Sequence, residues 1–247
     1  MSDTVFSEVL DGLPEACAGA ASPSRVEQPF GKFELETLFM LARAAAARDD
    51  DTVVHMVRIG FLARRLAMLT GCSQDFAEQL RNAAPLHDIG KIAIPDNVLK
   101  KNSPLTREEW FVMRQHSSIG AGILGRSAHP VFRLGAVIAL NHHERFDGTG
   151  YPSRLAGTSI PLAARITSVV DVFDALTMDR SYRPAYGVDK ALEMLAEESG
   201  KSLDPDLVDC FMTHAVEFIE LRECICTSDP DLWDALGLDR FIQTVTV

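Results

Sequence analysis

Two stretches of the sequence decide the fold: Asn-His-His-Glu-Arg-Phe-Asp-Gly-Thr-Gly-Tyr-Pro at residues 141–152, and Leu-His-Asp-Ile-Gly-Lys at residues 86–91. The first joins adjacent histidines to a glycine-punctuated loop, and the second contains an adjacent His-Asp pair. Imidazole and carboxylate bind first-row transition metals, and glycine lets a backbone approach a ligand closely. The two stretches therefore predict two halves of one metal centre.

The residues on either side of these stretches are spaced for helices. Apolar side chains recur at helical intervals, and no segment alternates convincingly as a half-buried strand would. No internal repeat is present. The predicted fold class is therefore all-α, a helical bundle around the metal centre. The expected helices cover 33–47, a second run ending at Leu69, 73–90, 106–116, 130–143, 161–176, 189–199 and 205–221, with a loop at 144–160.

Several of these helices have recognisable ends. Gly71 and Gly200 stand where helix C-termini are expected, because glycine readily adopts the left-handed conformation that ends helices. Thr106 and Glu109 have the spacing of a capping box, in which each side chain bonds the backbone N–H of the other residue. Pro161 suits a first helical turn, since its missing N–H is not needed there. These signals predict the limits of the elements that carry the metal-binding stretches.

The composition excludes several classes of function. The chain has 247 residues, a net charge of −11 and no basic stripe, so binding to DNA or to an anionic membrane is not expected. One small phosphorylated ligand stays compatible with this charge, because metals and a few cations dominate a local field. The five cysteines are scattered and odd in number, which argues against a disulfide framework. Without a signal peptide or a membrane-spanning apolar run, the chain is expected to be cytoplasmic.

Imidazole and carboxylate side chains on or beside the expected helices form a candidate ligand set. Helical bundles build metal sites from side chains that point inward from several helices. Seven nitrogen and oxygen ligands are too many for one tetrahedral zinc ion and fit a bridged pair of metals. Ligation without thiolate favours iron or manganese. The candidates are His55, His87, Asp88, His116, His142, His143 and Asp171.

Other acidic and histidine residues need a separate interpretation. Asp171 lies in an apolar helical run, where an unpaired carboxylate is costly and a metal cation is a good partner. Asp174, three residues later, either orients a ligand or caps the following loop. His129 and His214 stand outside any motif and are expected to be hydrogen-bonded core or boundary residues. Asp171 is therefore predicted to bind metal, and two roles stay open for Asp174.

Taken in order along the chain, these motifs resemble the HD-GYP domain, a subgroup of the HD phosphohydrolases. The resemblance extends from about residue 50 to residue 183. It implies an all-helical, HD-type bundle around a bi- or trinuclear centre of iron or manganese. The matching features are His55 with Arg58, 86–91, 94–96, 105–110, His116 with Gly120, 142–152 including the signature Gly150-Tyr151-Pro152, 160–161, 164–166, 171–176 and 179–183.

The resemblance also implies an activity, the hydrolysis of the bacterial second messenger cyclic di-GMP to pGpG and, in some members, onward to GMP. The seven candidates would hold the metals, and a metal-bridging hydroxide would attack phosphorus while the 3′-oxygen leaves. Lys91 and Asp88 are the implied catalytic residues, with Lys91 against the phosphate or the bridging water. The implied substrate-binding residues are Gly150 and Tyr151 in the pocket wall, and Arg180 and Arg183 at the phosphate or guanine.

The chain departs from the family pattern at a position that bears on the number of metals. Family members with three metals often have Glu four residues before the first histidine, where this chain has Asp51. Asp is one methylene shorter, so Asp51 is a candidate ligand of a third ion, and two-metal and three-metal centres both stay open. The predicted domains are an N-terminal tail or regulatory segment at 1–30, the phosphohydrolase domain at 31–225 and a C-terminal helical extension at 226–247.

Two other functions stay open at this point. One is a phosphodiesterase for another cyclic dinucleotide, such as cyclic GMP-AMP, because the sequence shows the metal centre more clearly than the base pocket. The other is a signalling or scaffold module that binds the dinucleotide, a diguanylate cyclase or another signalling protein without turnover. Degenerate modules lose metal ligands, and this chain retains the core set. The cyclic di-GMP phosphodiesterase is therefore the leading hypothesis.

Overall fold

The computed structural model describes residues 40–41, 53–179 and 184–226. From Val53 onward these residues form helices joined by turns, and they contain no strand beyond one isolated bridge between Ser199 and Leu203. The all-α prediction is confirmed. The α-helices are α1 (Val53–Leu69), α2 (Gln74–Ala83), α3 (Asp96–Leu99), α4 (Arg107–Leu124), α5 (Pro130–Asn141), α6 (Leu162–Leu176), α7 (Val188–Glu197), α8 (Pro205–Thr213) and α9 (Ala215–Cys226), with 3₁₀ helices at Ala84–Leu86, Ile89–Ala93 and Gly157–Ser159.

The helices and the thiols of the described residues bear on two of the exclusions drawn from composition. None of the helices there combines the length and the apolar character needed to cross a bilayer. The thiols of Cys72, Cys210 and Cys224 are free.

Helix α1 is the centre of the core. It is apolar on most sides, and Ile59, Leu62 and Leu66 have no exposed surface. Helices α2, α6, α8 and α9 pack around it. A helix covered in this way holds its polar residues inside the protein. His55 and Arg58 of α1 are consequently buried, although both side chains are polar.

An aromatic stack joins α6 to the last two helices. The ring of Phe211 lies 4.9 Å from that of Phe173 on α6 and 4.0 Å from that of Phe218 on α9, centroid to centroid. All three side chains are fully buried. Aromatic pairs of this kind contribute about 0.5–1.5 kcal/mol each beyond the burial of their area. The stack fixes α6, which carries Asp171 and Asp174, against the rest of the bundle.

Most of the predicted helix ends agree with the structure. Gly71 and Gly200 follow α1 and α7 with φ angles of +82° and +72°. At the start of α4, the Glu109 N–H donates to Thr106 Oγ1 over 3.3 Å, and the Thr106 N–H donates to Glu109 Oε2 over 2.8 Å. The capping box is therefore confirmed. Helix α4 continues to Leu124, however, instead of ending near residue 116.

Two predicted helices are interrupted. The helix that begins after Ser73 was expected to run to about residue 90, but α2 ends at Ala83. Pro85 has no N–H for an α-helical bond, and the chain continues instead as a 3₁₀ helix and a turn that contains residues 87 and 88. The expected helix at 205–221 is also wrong as one element, because it breaks at His214 into α8 and α9. The first interruption places the His-Asp pair in a turn.

The segment after Asp88 lies very close to α4. A Cβ on Gly90 would stand 1.9 Å from the His116 carbonyl oxygen and 2.5 Å from the Gly120 amide nitrogen. A Cβ on Gly120 would stand 3.2 Å from the amide nitrogen of Gly90. No side chain fits between backbones at such distances, so the position requires glycine. This contact brings Asp88 next to His116.

We predict that Gly90→Ala lowers the free energy of unfolding by about 2–3 kcal/mol, because the two backbones must separate to admit a methyl group. Gly122→Ala is the matched control, since a Cβ there would meet nothing within 4 Å. On α4 this control should leave stability unchanged or raise it by up to about 1 kcal/mol. Urea denaturation followed by circular dichroism measures both, and equal midpoints would contradict the argument from close approach.

Candidate metal centre

The structure brings the seven predicted metal ligands into two adjacent clusters. Within each cluster, one imidazole nitrogen or carboxylate oxygen from every residue lies within 4.8 Å of the others. The rings of His87 and His142, one from each cluster, have centroids 5.1 Å apart. The first cluster contains Asp88, His116, His142 and His143, and the second contains His55, His87 and Asp171.

Different elements supply these side chains. His55 comes from α1, His116 from α4 and Asp171 from α6, all within the helices. His142 is the last residue bonded to α5, and His143 follows it in the turn. Side chains that converge from several helices and two turns can surround an ion, as inward-facing ligands of helical bundles do.

Backbone carbonyls fix the orientation of three imidazoles. In His87, His116 and His142, Nδ1 lies 2.9, 2.7 and 3.1 Å from the carbonyl oxygen three residues earlier. A carbonyl oxygen only accepts hydrogen bonds, so Nδ1 is the donor in each ring. A neutral imidazole carries one N–H, and its Nε2 therefore presents a lone pair to the cluster. Metal-binding histidines are oriented in the same way by their second nitrogen.

Asp88 lies between the two clusters. Its Oδ1 is 3.2 Å from His116 Nε2 and 3.5 Å from His142 Nε2. Its Oδ2 is 3.3 Å from His87 Nε2. Within the described part of the chain, Oδ1 of Asp88 and Nε2 of His142 are buried atoms that make no hydrogen bond. Metal–ligand bonds of about 2.0–2.2 Å place neighbouring ligand atoms about 3 Å apart, so the residues present fit bound cations.

The electrostatics of the site favour the protonation states that metals require. Burial alone would raise the pKa of Asp88, but nearby positive charge, above all Lys91, holds that pKa well below its usual value. The Lys91 Nζ is 2.8 Å from Asp88 Oδ2. Burial lowers the pKa of His142, which Asp88 only partly offsets, and burial together with His142 lowers the pKa of His143 further. An ionised carboxylate and neutral imidazoles are metal-binding forms.

Asp174 supports the second cluster from behind. Its Oδ2 is 2.6 Å from His55 Nδ1, and Arg58 donates to both oxygens over 2.6 and 2.9 Å. Burial would raise the pKa of Asp174, but the bonds from His55 and Arg58 hold it below its usual value. With Nδ1 directed to Asp174, His55 turns Nε2 toward Asp171, 3.7 Å away. Of the two roles left open for Asp174, the geometry supports the orientation of a ligand.

Glu144 organises the loop that follows the paired histidines. Its carboxylate is buried and accepts hydrogen bonds from the N–H groups of Ser153, over 2.6 Å, and Leu155, over 3.1 Å. Arg154 between them has a φ of +56°, the left-handed conformation of anion-binding nests. Burial raises the pKa of Glu144, although these backbone bonds oppose the change. The loop is therefore wrapped around one buried side chain.

Gly150 and Tyr151 lie against the first cluster. A Cβ on Gly150 would stand 2.3 Å from the Arg145 amide nitrogen, so the turn requires glycine. The Tyr151 N–H donates to the His143 carbonyl over 3.2 Å. The Tyr151 ring stacks on the His143 ring, with centroids 4.8 Å apart and planes 26° apart. Burial raises the pKa of Tyr151, which keeps the phenol neutral beside Asp88.

Some predicted site residues cannot be placed, and two histidines lie elsewhere. Asp51, Arg180 and Arg183 fall outside the described residues, so their assignments stay predictions. His129 directly precedes α5 and caps it, with its Nδ1 accepting from the Val131 N–H over 3.3 Å. The Nδ1 of His214 donates to a carbonyl oxygen over 2.9 Å. Both are hydrogen-bonded residues outside the clusters, as expected.

Two supporting residues received no role from the sequence. Arg58 entered only as part of the family pattern, and Glu144 only as a member of the stretch at 141–152. Each carried a signal: Arg58 interrupts an apolar helix, and Glu144 directly follows His143. A charged residue in such surroundings needs a buried partner. Asp174 is distant from Arg58 in sequence, and the bonds from the loop to Glu144 depend on how the loop folds back, so neither partner was identifiable from the sequence.

The all-helical fold and the paired His/Asp clusters define an HD-type metal site, and comparison with known proteins agrees. The HD domain family matches residues 39–207, so this chain belongs to the HD domain family. It is 45% identical over 192 residues to the cyclic di-GMP phosphodiesterase response regulator RpfG of Xanthomonas campestris, with 78% of this chain and 50% of that protein aligned. The predicted family is confirmed.

Two cyclic GMP-AMP phosphodiesterases of Vibrio cholerae are also similar. The chain is 41% identical over 187 residues to 3′3′-cGAMP-specific phosphodiesterase 2, and the alignment covers 76% of this chain and 36% of that protein. A solved structure of a cyclic GMP-AMP specific phosphodiesterase superposes with a TM-score of 0.60 and 20% identity, over 83% of this chain and 53% of the other. That likeness confirms the fold. The chain spans half or less of the length of the two curated relatives.

We predict that Asp174→Asn lowers the metal content by about one ion per chain, because an amide neither accepts from both His55 and Arg58 nor balances the arginine charge. The loss should affect the second cluster and spare the first. Elemental analysis of the purified protein measures the effect, and circular dichroism verifies the fold. Asp189→Asn, at the exposed start of α7, is the control. Full metal content in folded Asp174→Asn protein would contradict the supporting role.

We predict that Glu144→Gln frees the loop it anchors, because glutamine offers one neutral acceptor in place of a carboxylate. The amides of Ser153 and Leu155 should exchange with deuterium about 10- to 100-fold faster, as the loss of charge-assisted bonds implies. Glu108→Gln, exposed in the first turn of α4, removes the same charge elsewhere and should leave both rates unchanged. Identical exchange in both variants would show that Glu144 does not hold the loop.

Proposed function

We propose that this chain is a metal-dependent phosphodiesterase that hydrolyses cyclic di-GMP to pGpG, with GMP as the final product where pGpG is cut again. The observation that carries the proposal is the pair of clusters joined through Asp88. Membership of the HD domain family supports it, as does the name of the Xanthomonas relative. A scaffold that only binds a nucleotide or a protein has no use for seven converging metal ligands.

The proposed cofactors are iron or manganese, two or three ions per chain. The two clusters consist of imidazole and carboxylate, which these metals accept. His55, His87 and Asp171 would hold one ion, the four residues of the first cluster would hold another, and Asp51 is the proposed ligand of a third. When bound, the ions supply Lewis acidity and an activated water.

The remaining steps belong to residues of this chain. In the hydrolysis, the water oxygen bonds to phosphorus and gives up a proton, the bond from phosphorus to the 3′-oxygen breaks, and the leaving oxygen takes up a proton. Lys91 lies beside the first cluster with its Nζ held at Asp88, so its ammonium group can donate to a phosphoryl oxygen as charge develops there. Lys91 and Asp88 are therefore the proposed catalytic residues.

The proposed substrate pocket lies on the side of the centre covered by the glycine-rich loop. Tyr151 and Gly150 are adjacent to His143, and so within reach of a dinucleotide bound at the first cluster. Arg180 and Arg183 are proposed to bind its phosphate or guanine as forked donors.

The wider setting of the protein is also a proposal. The segments 1–30, 31–225 and 226–247 are proposed as tail, catalytic domain and helical extension, and the HD match at 39–207 lies within the second. A cytoplasmic location would place the enzyme with its substrate. A diguanylate cyclase or another signalling protein is the proposed partner, and DNA is not.

Cyclic GMP-AMP is the second candidate substrate. The names of the two Vibrio cholerae proteins favour it, one by sequence similarity and one by fold. The two cyclic dinucleotides share the scissile phosphodiester and differ in one base, so the metal centre treats them alike. The ratio of kcat/KM for the two substrates decides between them, and we expect it to favour cyclic di-GMP.

We predict that protein purified without air or chelator and supplied with Fe(II) or Mn(II) converts cyclic di-GMP to pGpG. His87→Ala and Asp88→Ala should each lower kcat at least about 100-fold and deplete metal, because neither ligand has a duplicate. His214→Ala is the matched control, as that histidine lies outside both clusters. Chromatography of the products and elemental analysis of the same samples measure both effects.

Three results would contradict the proposal. Wild-type activity in either ligand variant would break the assignment of the centre. If the metal-loaded protein cuts cyclic GMP-AMP but not cyclic di-GMP, the substrate is cyclic GMP-AMP and the proposed substrate is wrong. Protein that holds no metal and turns over neither substrate would favour the scaffold function.

A further inference from the structure

Arg114 is an exposed cation held at the rim of the metal centre by aromatic rings. It lies on α4, two residues before His116. Its guanidinium carbon is 4.9 Å from the centroid of the Tyr151 ring and 5.8 Å from that of Trp110. Contacts with ring faces position a guanidinium but leave its N–H groups, which point outward in the guanidinium plane, available to another partner.

Among the described residues, Arg114 has no carboxylate partner. Lys91 faces Asp88 at 2.8 Å, and Arg145 faces Asp147 at 3.4 Å, so these cations near the site have carboxylate partners. None of the carboxylates in 53–179 or 184–226 forms an ion pair with Arg114, whose guanidinium lies against the two aromatic rings. In a chain with a net charge of −11, an unbalanced guanidinium beside a predicted phosphate site is suited to an anionic ligand.

Tyr151 connects Arg114 to the centre. One face of its ring stacks on His143, a predicted ligand, at a centroid distance of 4.8 Å. The guanidinium carbon of Arg114 lies 4.9 Å from the centroid of the same ring. The Tyr151 ring is therefore already in contact with His143 and Arg114, which leaves less of it for a guanine. Arg114, whose side chain is exposed, is therefore an additional group on this side of the centre that a bound molecule can meet.

We propose that Arg114 binds the second phosphate of the cyclic dinucleotide, the one that is not cut, an inference that rests on the proposed function. A cyclic dinucleotide carries two phosphodiesters in one closed ring. When one lies at the metals, the other lies one nucleotide away in a direction fixed by the ring. A planar guanidinium can bind this phosphate through two parallel N–H···O bonds, and the rings of Tyr151 and Trp110 position the guanidinium for that contact.

The linear dinucleotide GpG separates this role from others. GpG has both guanines and one phosphodiester that can be cut, but it lacks the second phosphate. Arg114→Ala should raise KM for cyclic di-GMP about 10- to 100-fold, as the loss of charge-assisted bonds to phosphate implies. The change for GpG should be at least about tenfold smaller, because the contact is missing already.

Two further variants complete the test. Arg107→Ala removes the same charge from an exposed position on the same helix and should change the selectivity between the two substrates little. Arg114→Lys keeps the charge but not the planar fork, so it should recover only part of the affinity.

Any other outcome overturns the inference. Equal losses on cyclic di-GMP and GpG would mean that Arg114 contacts a base or supports the fold. An equal loss on bis(4-nitrophenyl) phosphate would mean that Arg114 acts through Tyr151 and His143. If the wild type cuts neither nucleotide, the proposed function fails separately, and equilibrium dialysis then tests Arg114. The inference about Arg114 would be overturned if Arg114→Ala bound cyclic di-GMP as tightly as the wild type, or if neither protein bound it.

Discussion

The site depends on one arrangement, the carboxylate of Asp88 enclosed by imidazole nitrogens inside an apolar bundle. Its two oxygens face Nε2 atoms from both clusters at 3.2–3.5 Å. Because Nδ1 of each ring lies at a backbone carbonyl, a neutral imidazole there directs the lone pair of Nε2 toward the Asp88 carboxylate, an arrangement suited to a shared cation. The arrangement therefore fits bound metal, and the surrounding helices and turns hold these side chains in place.

The fold holds Asp88 by contacts that leave little freedom. Gly90 and Gly120 bring its turn against α4, and backbone carbonyls set the rings of three histidines. Asp174 does the same for His55 through a carboxylate. The last described helix contributes as well, since Arg222 of α9 donates to the Thr177 carbonyl and lies 3.7 Å from Asp174. That helix lies beyond the segment that matches the HD domain family, yet it contacts the residue that orients His55.

The sequence predicted what depends on local pattern. The all-α class, the capping box of α4 and the glycines that end α1 and α7 follow from periodicity and from backbone preferences of single residues. The candidate ligands were recognisable because an adjacent His-Asp pair, paired histidines and an acid in an apolar run are each unusual. The grouping of seven residues into two clusters, with Asp88 between them, required the structure.

One of the failures has a local cause, and the others have tertiary causes. The expected helix through residues 87 and 88 ignored Pro85, whose missing N–H ends the α-helix and lets the chain turn. The expected stop near residue 116 missed that α4 is extended by its packing on α5 and on the 3₁₀ helix after Asp88. Glu144 and Arg114 have their partners in the glycine-rich loop, and the contact of Arg114 with Tyr151 crosses more than thirty residues. Local pattern carries no record of such contacts.

The central claim is that the two clusters hold a pair of metal ions joined through Asp88. The most direct measurement is electron paramagnetic resonance of protein loaded anaerobically with Mn(II), with the ions counted in the same sample. The account predicts at least two ions per chain and the broadened spectrum of magnetically coupled Mn(II), which should be lost in Asp88→Ala. One ion per chain with the sharp spectrum of isolated Mn(II) would contradict it.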